Sequence, residues 1–148
     1  QCMTESAAIC QYLAARFSPH EMDVSSDEPD FGPYLNYLHF GEATLTFPLA
    51  VHFRYTSVEP PERRLPQAAE DYKRFFIGRL KLIEPVLQDR EWLCGDQFTA
   101  ADISVGYALN FARTLGLQDV FKPQVAAYAD RVRQREGYKR AVARESNA

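Results

Sequence analysis

The chain has no apolar run approaching the roughly 18 residues needed to cross a bilayer, so no membrane partner is expected. Its three cysteines, Cys2, Cys10 and Cys94, are odd in number. They form no CxxC pair and fall short of the density of a disulfide-stapled domain, which favours a reducing, cytoplasmic setting. The three histidines, His20, His39 and His52, include no i, i+4 pair, and none stands near a cysteine or carboxylate cluster at ligand spacing; no metal site is expected. Basic charge is not in excess either. Seventeen Lys and Arg against 20 Asp and Glu leave a net charge of −3, and no basic field argues for nucleic acid. The Arg/Lys set near the C-terminus alternates with acids and Gln, as on a solvated helix face. The opening segment carries an acid and no basic n-region, unlike a signal peptide. There is no GxSxG elbow, phosphate loop, dinucleotide fingerprint, internal repeat or low-complexity segment.

What is present is helix periodicity over a 148-residue chain that is 46% hydrophobic and 25% charged, enough for one soluble domain with a real core. Strand signals are scarce. A first helix is expected from about Glu5 to Phe17, with Ile9, Tyr12, Leu13 and Phe17 forming an apolar face. Residues 18–32 are polar and breaker-rich, and read as a linker. A long helix from about Pro33 to Tyr55 follows, with Leu35, Leu38, Leu45, Leu49 and Phe53 on one stripe and a kink at Pro48. Pro66 suits the first position of the next helix. Tyr72, Phe76, Leu80, Ile83 and Leu87 then give a buried face whose end Pro85 disturbs.

The sharpest start signal is Thr99, a good N-cap with Asp102 at N3 to close a capping box and Phe98 and Ile103 placed for a hydrophobic staple. That helix runs to about Leu115 and ends at Gly116. Pro123 opens another, with Val125, Tyr128, Ala129 and Val132 on one side. Gly137 is expected to end it, and a short turn of helix over Tyr138 to Ala143 closes the chain.

Chemistry-bearing features are few. Cys10 and Cys94 read as small structural fillers, lacking the positive neighbour or helix N-terminus a nucleophile needs. Thr99 and Asp102 stabilise a fold and do no chemistry. Tyr37, Phe40, Phe47, Tyr107 and Phe111 make aromatic stripes of the kind that usually build core. Thr4-Glu5-Ser6-Ala7-Ala8-Ile9 is different. It places an acid and a hydroxyl together at the start of an amphipathic helix, whose free N–H groups suit a carboxylate. The Glu5 carboxylate suits an ammonium, so the pair would grip an α-amino acid end. The ordinary role for Ser6 at such a place is an N-cap.

Thr4-Glu5-Ser6-Ala7-Ala8-Ile9 with Tyr12-Leu13-Ala14 resembles the last helix of the thioredoxin-like half of a cytosolic glutathione S-transferase of bacterial type. Phe98-Thr99-Ala100-Ala101-Asp102-Ile103 resembles the capping motif of that family's helical domain. The resemblance covers nearly the whole chain. It implies an all-α fold: a bundle of about five helices (33–148) after a linker (18–32), preceded by one helix (1–17) left from a truncated thioredoxin-like domain. It implies that the preceding elements, with the thiol-activating residue and a cis-proline, lie outside this sequence. Glutathione is the implied co-substrate and a small hydrophobic electrophile the implied partner, in a cytoplasmic homodimer. Glu5 and Ser6 would bind the γ-glutamyl end of glutathione; Thr46, Phe47 and Phe111 would lie nearest the electrophile cleft; no catalytic residue would lie in this chain. Two alternatives stay open: a non-catalytic transferase-like module for protein assembly, and a helical interaction domain unrelated to glutathione.

Overall fold

The computed structural model describes residues 2–18 and 21–146; Gln1, Pro19, His20, Asn147 and Ala148 lie outside the described residues. Helices account for nearly all of the regular structure: α1 (Ser6–Phe17), α2 (Phe31–His39), α3 (Phe47–Phe53), α4 (Pro66–Leu80), α5 (Glu84–Asp89), α6 (Ala100–Thr114), α7 (Pro123–Gln134) and α8 (Glu136–Glu145). No strand occurs among the described residues.

Helix α6 is the axis of the molecule. Its start is built from sequence-local chemistry. The Thr99 N–H donates to Asp102 Oδ2 at 2.8 Å, the reciprocal arm of the capping box is also in place, and the Ala100 N–H is taken by the Met22 carbonyl at 2.9 Å. Its end is a Schellman motif: Leu117 N–H bonds Ala112 O at 2.9 Å, Gly116 N–H bonds Arg113 O at 2.9 Å, and Gly116 takes φ +74°. Between these ends Ala101, Val105, Ala108, Leu109 and Ala112 are buried. Small side chains let α1, α2 and α7 pack close around the axis.

The helix expected over Pro33–Tyr55 begins earlier, at Phe31, and is a chain of segments. Two π-helical stretches, Phe40–Thr46 and Arg54–Val58, flank α3. Pro48, in the first turn of α3, has no N–H to give the turn before it. The wider π turn absorbs that loss, with Phe47 N–H reaching back to Glu42 O. Leu38, Leu45 and Leu49 are fully buried as the stripe requires, while Phe53 stays 37% exposed. Gly41 lies in this stretch where a side chain has no room: a Cβ there would meet the Ser104 carbonyl carbon at 2.5 Å.

Two further boundaries differ from the sequence reading. The break near Pro85 comes a turn earlier, at Lys81–Ile83, and Pro85 instead opens α5 in its first turn, where its missing donor costs nothing. Gly137 does not end α7. The chain turns at Arg135, in extended conformation, and Gly137 sits inside α8. The Arg135 guanidinium lies 3.7 Å over the Phe98 ring and 5.7 Å from that of Trp92, an anchor that fixes the corner.

Candidate functional site

The site begins at the α1 N-terminus. Glu5, in extended conformation, is the residue before the helix, and its carbonyl accepts the Ile9 N–H at 2.9 Å. Ser6 is therefore the first helical residue and not the N-cap. Both side chains are exposed. The inward face of α1 is made of small residues: Ala7 and Ala14 are buried against α6, with Cys10 half-buried between them. The large residues face away. Tyr12, Leu13 and Phe17 are 36%, 48% and 68% exposed.

The Ser6 hydroxyl donates to the carboxylate of Glu42, and the Ala7 N–H donates to Glu42 Oε2 at 3.2 Å. Glu42 stands in the π stretch before α3, half-buried, and its carboxylate meets the positive end of the α1 dipole. Spacing could not have revealed Glu42, because it reaches Ser6 across 36 positions of sequence. The acid also bears on Cys10, whose thiol is pushed up first by burial and then by the Glu42 charge, the opposite of what a nucleophile needs.

The expected pocket residues fall on separate aromatic pairs. Phe47, 55% exposed, meets the Tyr72 ring edge-on at 5.9 Å. Phe111 meets Phe53 edge-on at 6.0 Å and stacks with Tyr107 at 6.5 Å. Thr46 Oγ1 is spent on the Gly41 carbonyl at 2.8 Å. A groove of about 660 Å³ is lined by Phe98, Ile103, Tyr107, Phe111, Tyr138 and Val142 among others. Thr46 and Phe47 are not part of its wall. Phe98 and Ile103, expected to staple the start of α6, both open onto this groove, with Phe98 edge-on to Trp92 at 5.1 Å.

The other sequence candidates are structural. Asp102 is fully buried and accepts from four donors: Thr99 N–H at 2.8 Å, Thr99 Oγ1 at 3.3 Å, Leu93 N–H at 3.0 Å and Tyr128 Oη at 2.9 Å. Burial raises its carboxyl above the usual Asp range, and these donors hold it back in part. The buried Cys94 thiol is pushed up to about 12, first by burial and then by Asp102. Among the described residues no group of three or more His, Cys, Asp or Glu is placed to hold a metal ion, and no helix is long and apolar enough to cross a membrane.

The fold and the α6 box point the same way as comparison with known proteins. The family model for the glutathione S-transferase C-terminal domain matches residues 62–142. The chain belongs to that family. Glutathione S-transferase A of Pleuronectes platessa is 27% identical over 139 residues, covering 93% of this chain and 62% of that protein. Glutathione S-transferase 2 of Schizosaccharomyces pombe is 29% identical over 104 residues, covering 68% and 43%. The chain thus spans under two-thirds of the length of either curated relative. Among solved structures, Ure2p5 of Phanerochaete chrysosporium, cocrystallized with 1-(S-glutathionyl)-2,4-dinitrobenzene, superposes with a TM-score of 0.86 at 25% identity, over 98% of this chain and 69% of that one. A bacterial glutathione transferase in ternary complex, BphK, superposes at 0.82 with 21% identity, over 99% of this chain and 70% of that one; at that identity the likeness is one of fold.

Proposed function

We propose that this chain is the glutathione- and electrophile-facing part of a cytoplasmic, homodimeric glutathione S-transferase. In that reaction the thiolate sulfur of glutathione forms a bond to an electrophilic carbon and the leaving group departs with the bonding pair. Residues 1–17 are then the end of a thioredoxin-like half, 18–32 a linker and 33–148 the helical domain. Glu5 takes the ammonium of the γ-glutamyl end. The Ser6 hydroxyl and Ala7 N–H take its carboxylate. Of the three expected pocket residues, Phe111 lines the groove and faces the small hydrophobic electrophile. Thiol activation is assigned outside this chain; within it, Cys10 and Cys94 are both held toward their neutral thiol form.

One observation carries the reading. A carboxylate, that of Glu42, already lies on the Ser6 hydroxyl and the Ala7 N–H, so these two groups at the α1 N-terminus have the geometry of a carboxylate seat. Ser6→Ala and Glu5→Ala in the full-length protein are expected to weaken glutathione binding by about 1–3 kcal/mol each, with little change in melting temperature. Equal calorimetric affinity in wild type and both variants refutes the clamp.

A further inference from the structure

The groups assigned to the ligand carboxylate are not free. Ser6 Oγ–H and Ala7 N–H both point to Glu42. Two ionised carboxylates do not fit on these donors together, because like charges at hydrogen-bond distance repel and the donors are already spent. A ligand carboxylate arriving at the α1 N-terminus therefore has to send the Glu42 side chain elsewhere.

The surroundings suit such an exchange. The backbone that carries Glu42 is fixed: Gly41 is pressed against Ser104, the Thr46 hydroxyl closes on the Gly41 carbonyl at 2.8 Å, and Leu45 is fully buried. The side chain is less enclosed. Glu42 is only half-buried, and Ser6 is exposed. Arg or Lys makes no ion pair with Glu42 among the described residues, so what holds its charge is the hydroxyl, the N–H and the α1 dipole. All three are interactions that a ligand carboxylate would replace in kind. Rotation about the Glu42 side-chain bonds is the route such an exchange would take.

We infer that Glu42 is an internal stand-in for the ligand carboxylate, occupying the α1 clamp when it is empty and being displaced when glutathione binds. The inference rests on the proposed glutathione clamp. In its filled-by-self form the clamp is not competent, and the apparent affinity is the intrinsic affinity multiplied by the fraction of molecules whose clamp is open. The empty clamp in turn keeps its hydroxyl and N–H paired and the start of α1 ordered.

The test is calorimetric titration of full-length wild type, Glu42→Ala, Glu42→Gln, Ser6→Ala and the Ser6→Ala/Glu42→Ala double variant with glutathione. Amide exchange at Ala7 is followed without ligand. Glu42→Ala is expected to tighten glutathione binding about two- to fivefold, the size an exposed charge contact allows, and to speed Ala7 exchange in the ligand-free protein. In the Ser6→Ala background the Glu42→Ala gain should shrink. Glu42→Gln keeps the shape and removes the charge; it should lie between wild type and Glu42→Ala, and it serves if the alanine variant does not fold. If Ser6→Ala weakens binding while neither Glu42 variant tightens it, the stand-in role is overturned and the clamp stands. If Ser6→Ala leaves affinity unchanged in the Glu42→Ala background, where no internal carboxylate competes, the clamp itself is wrong and the stand-in role falls with it.

Discussion

Tyr128 donates its hydroxyl to Asp102 Oδ1 at 2.9 Å, with both side chains fully buried. This bond ties the middle of α7 to the first turn of α6. It also changes the capping box from a local device into a junction, because Asp102 Oδ1 accepts the Leu93 N–H at 3.0 Å from the loop before α6. One carboxylate thereby joins a helix start, the preceding loop and the next helix. Trp92 roofs the junction, edge-on to Tyr128 at 6.1 Å.

Removing the carboxylate orphans several buried donors at once. Asp102→Ala is expected to cost about 3–5 kcal/mol, and Tyr128→Phe, which removes one of the four donors, about 1–2 kcal/mol. Thr99→Ala should cost about 1–2 kcal/mol. The Thr99→Ala/Asp102→Ala double variant should cost less than the sum, since the two residues serve one cap. Urea melts of the four variants decide this; additive losses would mean that Thr99 and Asp102 act separately.

The pH dependence has a definite sign. Burial raises the folded-state carboxyl of Asp102 above its unfolded value near 3.9. The folded state therefore binds a proton more tightly than the unfolded chain does. The stability this supplies is complete below pH of about 4 and is lost as pH rises through the raised folded value. Asp102→Asn cannot titrate there, so its cost relative to wild type should be larger at pH 4 than at pH 7. Denaturation curves for both proteins across that range test the direction, and a cost that grows with pH contradicts it.

Helix α1 shows its large side chains to the outside. Leu13 and Phe17 are 48% and 68% exposed, while the face against α6 holds Ala7 and Ala14. Exposed apolar surface of this size favours association. Under the proposed function this face belongs against the thioredoxin-like half. The 148-residue chain by itself is expected to self-associate in sedimentation velocity with rising concentration, and Leu13→Gln/Phe17→Ser should suppress this with little loss of melting temperature. A monomer at all concentrations, with α1 strongly protected from amide exchange, would show that the bundle covers the face unaided.

Much of the fold was legible from local signals. The Thr99 box, the Gly116 terminus and the Pro66 and Pro123 starts all stand where the sequence places them. Phe76, Leu80, Ile83 and Leu87 are buried as their spacing requires, although a turn at Lys81–Ile83 divides them between two helices. Gly137 misled because glycine is permissive and not obligatory as a terminator. The corner at Arg135 is held by stacking on Phe98 and Trp92, which are distant in sequence.

The candidate site divides in the same way. Glu5 and Ser6 announce themselves because an acid and a hydroxyl at a helix start are a pattern within one turn. Glu42 does not, because only the packing of the π stretch and α1 against α6 brings its carboxylate to Ser6. Nor does spacing alone put Phe47 beside Tyr72 or Phe111 beside Phe53.

By itself, then, the sequence determined where most of the helical chain falls, both ends of α6 and which face of most helices is apolar. These depend on hydrogen bonds and side-chain spacings spanning three to seven positions, which the order of residues specifies directly. Tertiary structure alone decided the partners: Tyr128 for Asp102, Arg135 for Phe98, Ser104 for the bare backbone of Gly41, and Glu42 for the hydroxyl of Ser6. Each of these pairings depends on how two separate parts of the chain pack together, and that is set by how side chains of both fill the space between them.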